Sequence, residues 1–202
     1  MPTGSVLMMA SRLPAAARRR QLLDIALAEF AEQGYSGVSM DRVAEAAGVT
    51  KPVLYQHFRS KRALYLELLD DVSDRLEGAV VKATADASSP REQVEAGFRV
   101  YFRFVREQRD AYRLLFNADK RRDRELTEAV LRVEETFAQA IAALIDVEGL
   151  PEEDRLLLAR GIVGIAEVTS RQSLGSATSD PDAVAHRVAN LAWAGLRGIR
   201  GH

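Results

Sequence analysis

Residues 39–61 read SMDRVAEAAGVTKPVLYQHFRSK, and this stretch decides the fold. Small and apolar residues recur at helical spacing up to Gly48, where a chain can enter the left-handed region without steric cost. Thr50 can cap a second helix, and Pro52 falls in its first turn, where a missing N–H does no harm. Ser60 then offers a cap for a third helix. The stretch therefore predicts helix, tight turn and helix, followed by the start of another helix.

The second of these helices, at about residues 51–58, has a small buried face and a large exposed one. Leu54 and Phe58 are its expected core residues, and polar and aromatic side chains occupy the remaining positions. Such a short helix, braced by a neighbour, is typical of a helix-turn-helix that enters the DNA major groove. An ordinary corner between two helices is the alternative. Tyr55 and His57, together with the small residues at the turn, argue against it.

This segment resembles the N-terminal domain of the TetR family, the tetracycline-repressor-like transcriptional regulators. The matching residues are Ala44, Ala47, Gly48, Val49, Thr50, Leu54, Tyr55, His57, Phe58, Ser60 and Lys61. Ser39 stands where the family has Thr, and Val43 where it has Ile. The resemblance covers about the first third of the chain. It implies a nine-helix layout, a homodimer and an effector cavity among helices 4 to 8.

Five residues on or near the exposed side of the recognition helix are candidates for base contact: Thr50, Lys51, Pro52, Val53 and Gln56. Lys51 can donate to guanine, and Gln56 can bracket adenine. Pro52 or Val53 can contact a thymine methyl group. We therefore expect sequence to be recognised by this helix.

Phosphate contacts set the position of a protein on DNA and supply much of its affinity. Tyr55, His57 and Lys61 are the candidates, as the family resemblance also implies, and Ser39 can add its hydroxyl and a backbone N–H. For His57 alone, a solvated surface histidine would be the ordinary interpretation. The basic run at residues 18–20 is either a solvated helix end or a further contact to the DNA backbone.

Charge is divided unevenly along the 202 residues, although the net charge is only −1. Residues 1–62 contain nine basic and five acidic residues, a net charge of +4. The remainder contains 19 basic and 24 acidic residues, a net charge of −5. A basic N-terminal module on an acidic body suits DNA contact at one end only.

Composition excludes several classes of protein. Hydrophobic residues are 47% and charged residues 28%, as in a globular protein, and no apolar run reaches the ~18 residues that span a membrane. The N-terminus lacks a signal-peptide pattern, so we expect a cytoplasmic protein. There is no cysteine, and the three histidines are far apart, so we expect neither a metal site nor a cofactor. No nucleophile–base pair or phosphate-binding glycine loop suggests an enzyme.

Helical patterns continue to the end of the chain, and we find no strand pattern, so the predicted fold class is all-α. We expect a flexible tail at residues 1–13, a helix-turn-helix DNA-binding domain at 14–60, and a ligand-binding and dimerisation domain at 61–202. Ser89 and Glu92 form an expected capping box around Pro90, and Asp180 should cap the last helix. The expected helices cover about 14–33, 40–47, 51–58, 61–87, 90–105, 110–116, 152–174 and 181–199, with a further helix before residue 152 that carries Leu126 and ends near Gly149.

Aromatic residues are concentrated between residues 98 and 137, where the family builds its effector cavity. The candidate ligand-binding residues are Phe98, Tyr101, Phe102, Tyr112, Phe116 and Phe137, with Arg171 and Gln172 as polar candidates. For any single aromatic residue, the hydrophobic core is the alternative. Arg171 could equally pair with Glu167, one helical turn away.

Small residues in predicted helices 8 and 9 permit close helix approach, and the end of the chain resembles the dimerising end of many family members. Packing within one subunit is the alternative. Together these features indicate a homodimer on an inverted-repeat operator in double-stranded DNA, released by a small, mostly apolar effector, and most simply a repressor. A DNA-binding architectural protein without an effector is the rival interpretation.

Overall fold

The computed structural model describes residues 14–116, 124–174 and 180–199, and these are helical with no strand. The all-α prediction is confirmed. The helices are α1 (Ala15–Gly37), α2 (Met40–Ala46), α3 (Lys51–His57), α4 (Lys61–Ala85), α5 (Pro90–Glu107), α6 (Arg109–Phe116), α7 (Arg124–Ala142), α8 (Glu152–Leu174) and α9 (Pro181–Leu196). The tail expected at residues 1–13 lies outside the described residues. Among the described helices we find no segment with the length and hydropathy of a membrane span.

Helices α2 and α3 form the expected helix-turn-helix. Gly48 lies between them with φ of 61°, in the left-handed region that glycine tolerates. The Ser39 hydroxyl caps α2 by accepting from the Arg42 N–H at 3.2 Å. Thr50 occupies the N-cap position of α3, but its hydroxyl accepts no hydrogen bond from the first turn, so the predicted side-chain cap is wrong. Pro52 lies in the first turn of α3 as expected, and the Thr50 carbonyl accepts from the Val53 and Leu54 N–H groups.

One hydrophobic core joins the N-terminal helices to the rest of the molecule. Leu22 of α1, Leu54 of α3 and Leu64 of α4 are fully buried within it. Leu114 of α6 and Leu126 of α7 are buried in the same cluster. The orientation of α3 is therefore fixed by packing that also includes helices of the C-terminal part.

Helix α1 turns sharply at Gly34, whose φ of 71° breaks the helical run. The turn brings Tyr35 back onto Phe30, with the ring centroids 6.2 Å apart and nearly parallel. Tyr65 of α4 packs edge-on against both rings, at 5.0 Å from each. The aromatic cluster joins the end of α1 to the start of α4.

Helix α7 ends earlier than the sequence suggests. It stops at Ala142 and not near Gly149, because Ile145 turns back into a small core with Ala138 and Ala159. Gly149 instead provides a positive φ of 74° within the turn that follows. Periodicity could not separate the two outcomes, since Ile145 is apolar in either one.

The capping box of α5 also differs in detail. The Ser89 hydroxyl accepts from the Glu92 N–H at 3.2 Å, as expected. The Glu92 carboxylate, however, accepts from the N–H of Ser88 at 2.8 Å and not from that of Ser89. The hydrogen bond from the Ser88 hydroxyl, and then the one from its N–H, lower the pKa of Glu92. Asp180 caps α9 as predicted, by accepting from the Asp182 N–H at 3.1 Å.

Candidate nucleic-acid interface and ligand cavity

Helix α3 presents a polar, exposed surface because Leu54 holds its opposite face in the core. Lys51, Pro52, Tyr55 and Gln56 are exposed, and Tyr55 retains 42% of its accessible surface. Val53 and His57 are half-buried, and Thr50 at the start of the helix is exposed. The residues expected to contact bases thus lie together at one surface of the molecule, with the two flanking phosphate candidates beside them.

Lys51 is held by an ion pair at the edge of this surface. Its ammonium lies 2.8 Å from the Asp41 carboxylate of α2, and this partner raises the pKa of Lys51. Both side chains are more than half exposed, so the pair contributes little stability and can be exchanged for a base contact. Ser39 uses a lone pair for the α2 cap and retains its O–H for a phosphate oxygen.

Lys61 points inward, which disfavours its expected phosphate role. Its ammonium donates to the carbonyls of Tyr35 and Val38, each at 2.9 Å. It also lies 4.3 Å from the centroid of the Tyr35 ring. Two of its three N–H donors are therefore satisfied by the α1–α2 connection, and the charge is further stabilised by the ring.

The basic run at residues 18–20 is also largely used within the protein. Arg19 forms a two-bond pair with Glu67 of α4, at 3.0 and 2.5 Å, and donates to the His57 carbonyl at 2.6 Å. Its guanidinium also lies 4.5 Å from the centroid of the Phe58 ring. Arg20 pairs with Asp71 of α4 and with Asp24, at 2.5 and 2.9 Å. Arginines 19 and 20 thus join α1 to α4, and Arg19 also joins it to the end of α3.

A cavity of about 400 Å³ lies among α4, α5, α7 and α8, with the C-terminal end of α9 at one side. Its walls are mainly aliphatic and aromatic, and include Leu76, Val94, Ile141, Val163 and Leu196. Polar side chains are few, and those of Gln93 and Glu134 are among them. A cavity of this size with this lining is of the kind that holds a small apolar molecule.

Only part of the predicted ligand set lines this cavity. Phe98, Tyr101 and Phe137 do. Phe102 is buried in the core between α5, α8 and α9, while Arg171 and Gln172 are exposed. Arg171 pairs with Glu167 at 3.3 Å, the alternative that the helical spacing had left open. The side chain of Phe116 lies outside the described residues.

Tyr112 is likewise absent from the cavity wall and belongs to a buried group of hydroxyls. The Ser170 hydroxyl lies 2.8 Å from the Tyr112 hydroxyl and 3.2 Å from that of Tyr101. Burial raises the pKa of both tyrosines, so both phenols stay protonated near neutral pH. Since Tyr101 also lines the cavity, this group connects α5, α6 and α8 beside the cavity wall.

Sequence reasoning missed the contributions of α4 and α9 to the cavity. Leu76 and Val80 of α4 line it, as do Trp193 and Leu196 of α9. These residues lie on apolar helix faces like many others, and nothing in their spacing distinguishes a cavity wall from a filled core. Gln93 of α5 and Glu134 of α7, which stand beside apolar lining residues, are sequence signals that could have indicated polar groups at the cavity.

Comparisons with known proteins agree with this architecture. Residues 22–68 match the family described as bacterial regulatory proteins, tetR family, and residues 90–195 match the tetracyclin repressor-like C-terminal domain. The chain belongs to the TetR family. The HTH-type transcriptional activator FasR of Mycolicibacterium smegmatis is 34% identical over 188 residues, which cover 92% of this chain and 86% of FasR.

Two further relatives show how the resemblance is distributed. The HTH-type transcriptional repressor KstR2 of Mycolicibacterium smegmatis is 32% identical over 107 residues, 53% of this chain and 52% of that protein. The crystal structure of a TetR-like transcriptional regulator from Rhodococcus sp. RHA1 superposes with a TM-score of 0.77 at 29% identity, over 93% of this chain and 100% of the other. The resemblance to solved structures therefore includes the C-terminal helices as well as the helix-turn-helix.

Family membership confirms the expected class of function. The chain is a DNA-binding transcriptional regulator of a non-enzymatic family. Members of this family bind operator DNA and typically act as dimers with small-molecule effectors.

Proposed function

We propose that the protein is a homodimeric repressor that binds an inverted-repeat operator and is released by a small, mostly apolar effector. In this proposal residues 14–60 form the DNA-binding domain and residues 61–202 the ligand-binding and dimerisation domain. Lys51, Gln56 and the apolar Pro52 and Val53 recognise bases. The hydroxyls of Ser39 and Tyr55 and the imidazole of His57 contact phosphates, while Thr50 belongs to the base-contacting group. The exposed surface of α3 supports these assignments.

The proposed dimer forms through α8 and α9. Leu157 and Val168 of α8 and Leu191 of α9 are 63%, 56% and 64% exposed, and exposed apolar surface shared by two helices is what a second subunit can cover. On the same exposed side of α8, a side chain at Gly161 would meet no atom within 4 Å, and the same holds for Gly195 of α9. Packing within the subunit thus gives no reason for glycine there. Close approach of a second subunit would explain the glycines.

The effector is proposed to occupy the cavity among α4, α5, α7 and α8. The observation that carries this proposal is the course of α4. Its first half is buried in the core that positions α3, through Leu64 and Leu68, and its second half lines the cavity through Leu76 and Val80. An effector that displaces the second half of α4 changes the position of the recognition helices, and so shifts the protein towards a state that does not fit the operator.

The rival interpretation, an architectural protein without an effector, requires a filled core between these helices. A cavity of about 400 Å³ with apolar walls speaks against it, because a filled core would leave no such space among these helices. The relatives differ in the sign of regulation, since FasR is named an activator and KstR2 a repressor. We favour repression, in which the dimer blocks a promoter.

Selection of duplexes from a random library by the purified protein tests the DNA-binding proposal. An inverted repeat should emerge, with half-sites separated by about 34–36 Å or a multiple of this distance. Placing that repeat across a reporter promoter should then lower expression when the protein is present. Recovery of no repeated sequence would contradict specific binding, and increased expression from every placement would contradict repression.

A further inference from the structure

The cations around the recognition helix differ in how fully the protein itself uses them. Lys51 and Arg42 pair with Asp41 and Glu29, and Arg62 pairs with Glu125. Lys61 is bound by two backbone carbonyls and an aromatic ring. The family resemblance had led us to expect Lys61 to be the phosphate ligand at this end of the molecule, so its position leaves that role to another group.

Arg59 meets the requirements of that role. It is exposed, and within the described parts of the chain its guanidinium makes no hydrogen bond or ion pair. It lies two residues beyond His57, the last residue of α3, and directly before Ser60, the N-cap of α4. A phosphate next to this connection would meet both the free guanidinium and the positive end of the 25-residue α4.

Lys61 has the geometry of a residue that holds the frame in which α3 sits. Its two carbonyl partners lie at the end of α1, in Tyr35 beyond the break at Gly34, and in Val38 of the connection to α2. Lys61 itself is the first residue of α4. Loss of its ammonium would leave two partly buried carbonyls without this donor, which lets the α1–α2 connection and the start of α4 separate. Recognition would then weaken through misplacement of α3 and not through loss of a phosphate contact.

We propose that the two cations have different roles in DNA binding. Arg59 contacts a phosphate, and Lys61 is a positioning residue that holds the helix-turn-helix in place through contacts within the protein. The proposal rests on the DNA-binding surface proposed above. The salt dependence of DNA affinity distinguishes the two roles. Each phosphate contact contributes about 0.9 to the slope of log affinity against log salt concentration, whereas a positioning residue contributes nothing to that slope.

The test measures binding of the selected operator duplex from 50 to 200 mM salt for four proteins: wild type, Arg59→Gln, Lys61→Met and Arg99→Gln. Arg99 is an exposed arginine of α5, far along the chain from α3, and its substitution makes the same change of charge as Arg59→Gln. For Arg59→Gln, the ratio of wild-type affinity to variant affinity should fall roughly fourfold between 50 and 200 mM salt for each lost phosphate contact. For Lys61→Met the affinity should fall by the same factor at every salt concentration, and the melting temperature should fall too. Arg99→Gln should have the operator affinity of the wild type at every salt concentration and the same melting temperature.

An unchanged slope for Arg59→Gln, or a reduced slope for Lys61→Met, would overturn the proposal. If Lys61→Met does not fold, Arg59→Gln alone decides, because its side chain is exposed and its removal leaves the core intact. Lys61→Arg, which keeps the charge but cannot place one compact ammonium between two carbonyls, should then bind more weakly with an unchanged slope. If the wild type itself selects no operator, the proposed function fails. If it does and Arg59→Gln keeps the full slope, only the present inference fails.

Discussion

At the scale of the residue, the sequence indicates local structure well and long-range partners poorly. Gly34 and Gly48 have the positive φ angles that their places at helix ends predict, and Ser60 and Asp180 cap α4 and α9. These outcomes depend on neighbours within a few positions. The partners of Lys61 lie 23 and 26 residues away, and the spacing of residues carries no record of such contacts before the fold is known.

Gln56 provides a test of base recognition. Gln56→Ala should cost about 1–3 kcal/mol of binding free energy, concentrated at one base pair of each half-site, because a bidentate amide contact discriminates at a single position. Affinities for the operator and its single-base variants, measured by fluorescence anisotropy, check this. Gln172→Ala, at an exposed glutamine of α8, should have no effect. A uniform loss across all variants would assign Gln56 to phosphate contact.

Arg19 provides a test of whether ion pairs within the protein stabilise the fold. Arg19→Gln should lower the free energy of unfolding by about 1–2 kcal/mol, since it removes a two-bond pair with half-exposed Glu67 and a donor to the His57 carbonyl. Arg19→Lys should recover only part of this, because one ammonium cannot serve both partners. Denaturant unfolding of the three proteins makes the measurement. Equal stability of all three would show that these contacts contribute nothing in solution.

At the scale of the element, helices with capping residues were predictable, and ends decided by tertiary packing were not. Pro90 and Pro181 follow Ser89 and Asp180, so the starts of α5 and α9 could be placed from the sequence. The end of α7 could not, because it depends on Ile145 packing against α8. Which face of α8 is left uncovered is decided in the same way, by how the helices pack.

The junction of α5 and α9 gives a pH dependence. Arg103 of α5 forms a two-bond pair with Asp182 of α9, both distances being 2.7 Å, and this partner lowers the pKa of Asp182 below its ordinary value. Stabilisation by a carboxylate with a lowered pKa is complete above the ordinary value and is lost as the pH falls through the lowered one. The melting temperature of the wild type should therefore exceed that of Asp182→Asn at pH 6, and the difference should shrink below about pH 4. A difference that grows on acidification would contradict this assignment.

The uncovered side of α8 gives a test of assembly. Gly161→Arg should yield a folded monomer, because the new side chain meets open space within the subunit but would obstruct the proposed partner. Gly78→Arg is the matched control, since Gly78 lies on an exposed part of α4 with equally open surroundings. Sedimentation gives the mass and circular dichroism the helix content. A dimeric Gly161→Arg protein would exclude this face from the interface.

At the scale of the whole molecule, the family could be predicted from the first third of the chain and the all-α architecture from helical patterns along all of it, but the lining of the cavity could not be predicted. Phe98, Tyr101 and Phe137 line it, while Phe102 does not, although each of the four stands on the apolar face of its helix. Whether an aromatic side chain fills a core or borders a void depends on the relative positions of helices that are distant in sequence. Only the assembled helices show that α4 joins the DNA-binding end to the cavity.

The central claim is that a ligand in this cavity opposes DNA binding, and calorimetry tests it most directly. The ligand used is a compound that raises the melting temperature of the wild type but not that of Gly97→Met. Gly97 lines the cavity, so a methionine there fills part of it, and its Cβ would lie 3.7 Å from Thr84, an ordinary contact distance. Its affinity is measured with and without saturating operator duplex. Operator should weaken it by roughly 5–150-fold, and by linkage the ligand should weaken operator binding by the same factor. Identical ligand affinity in the two titrations would contradict the claim.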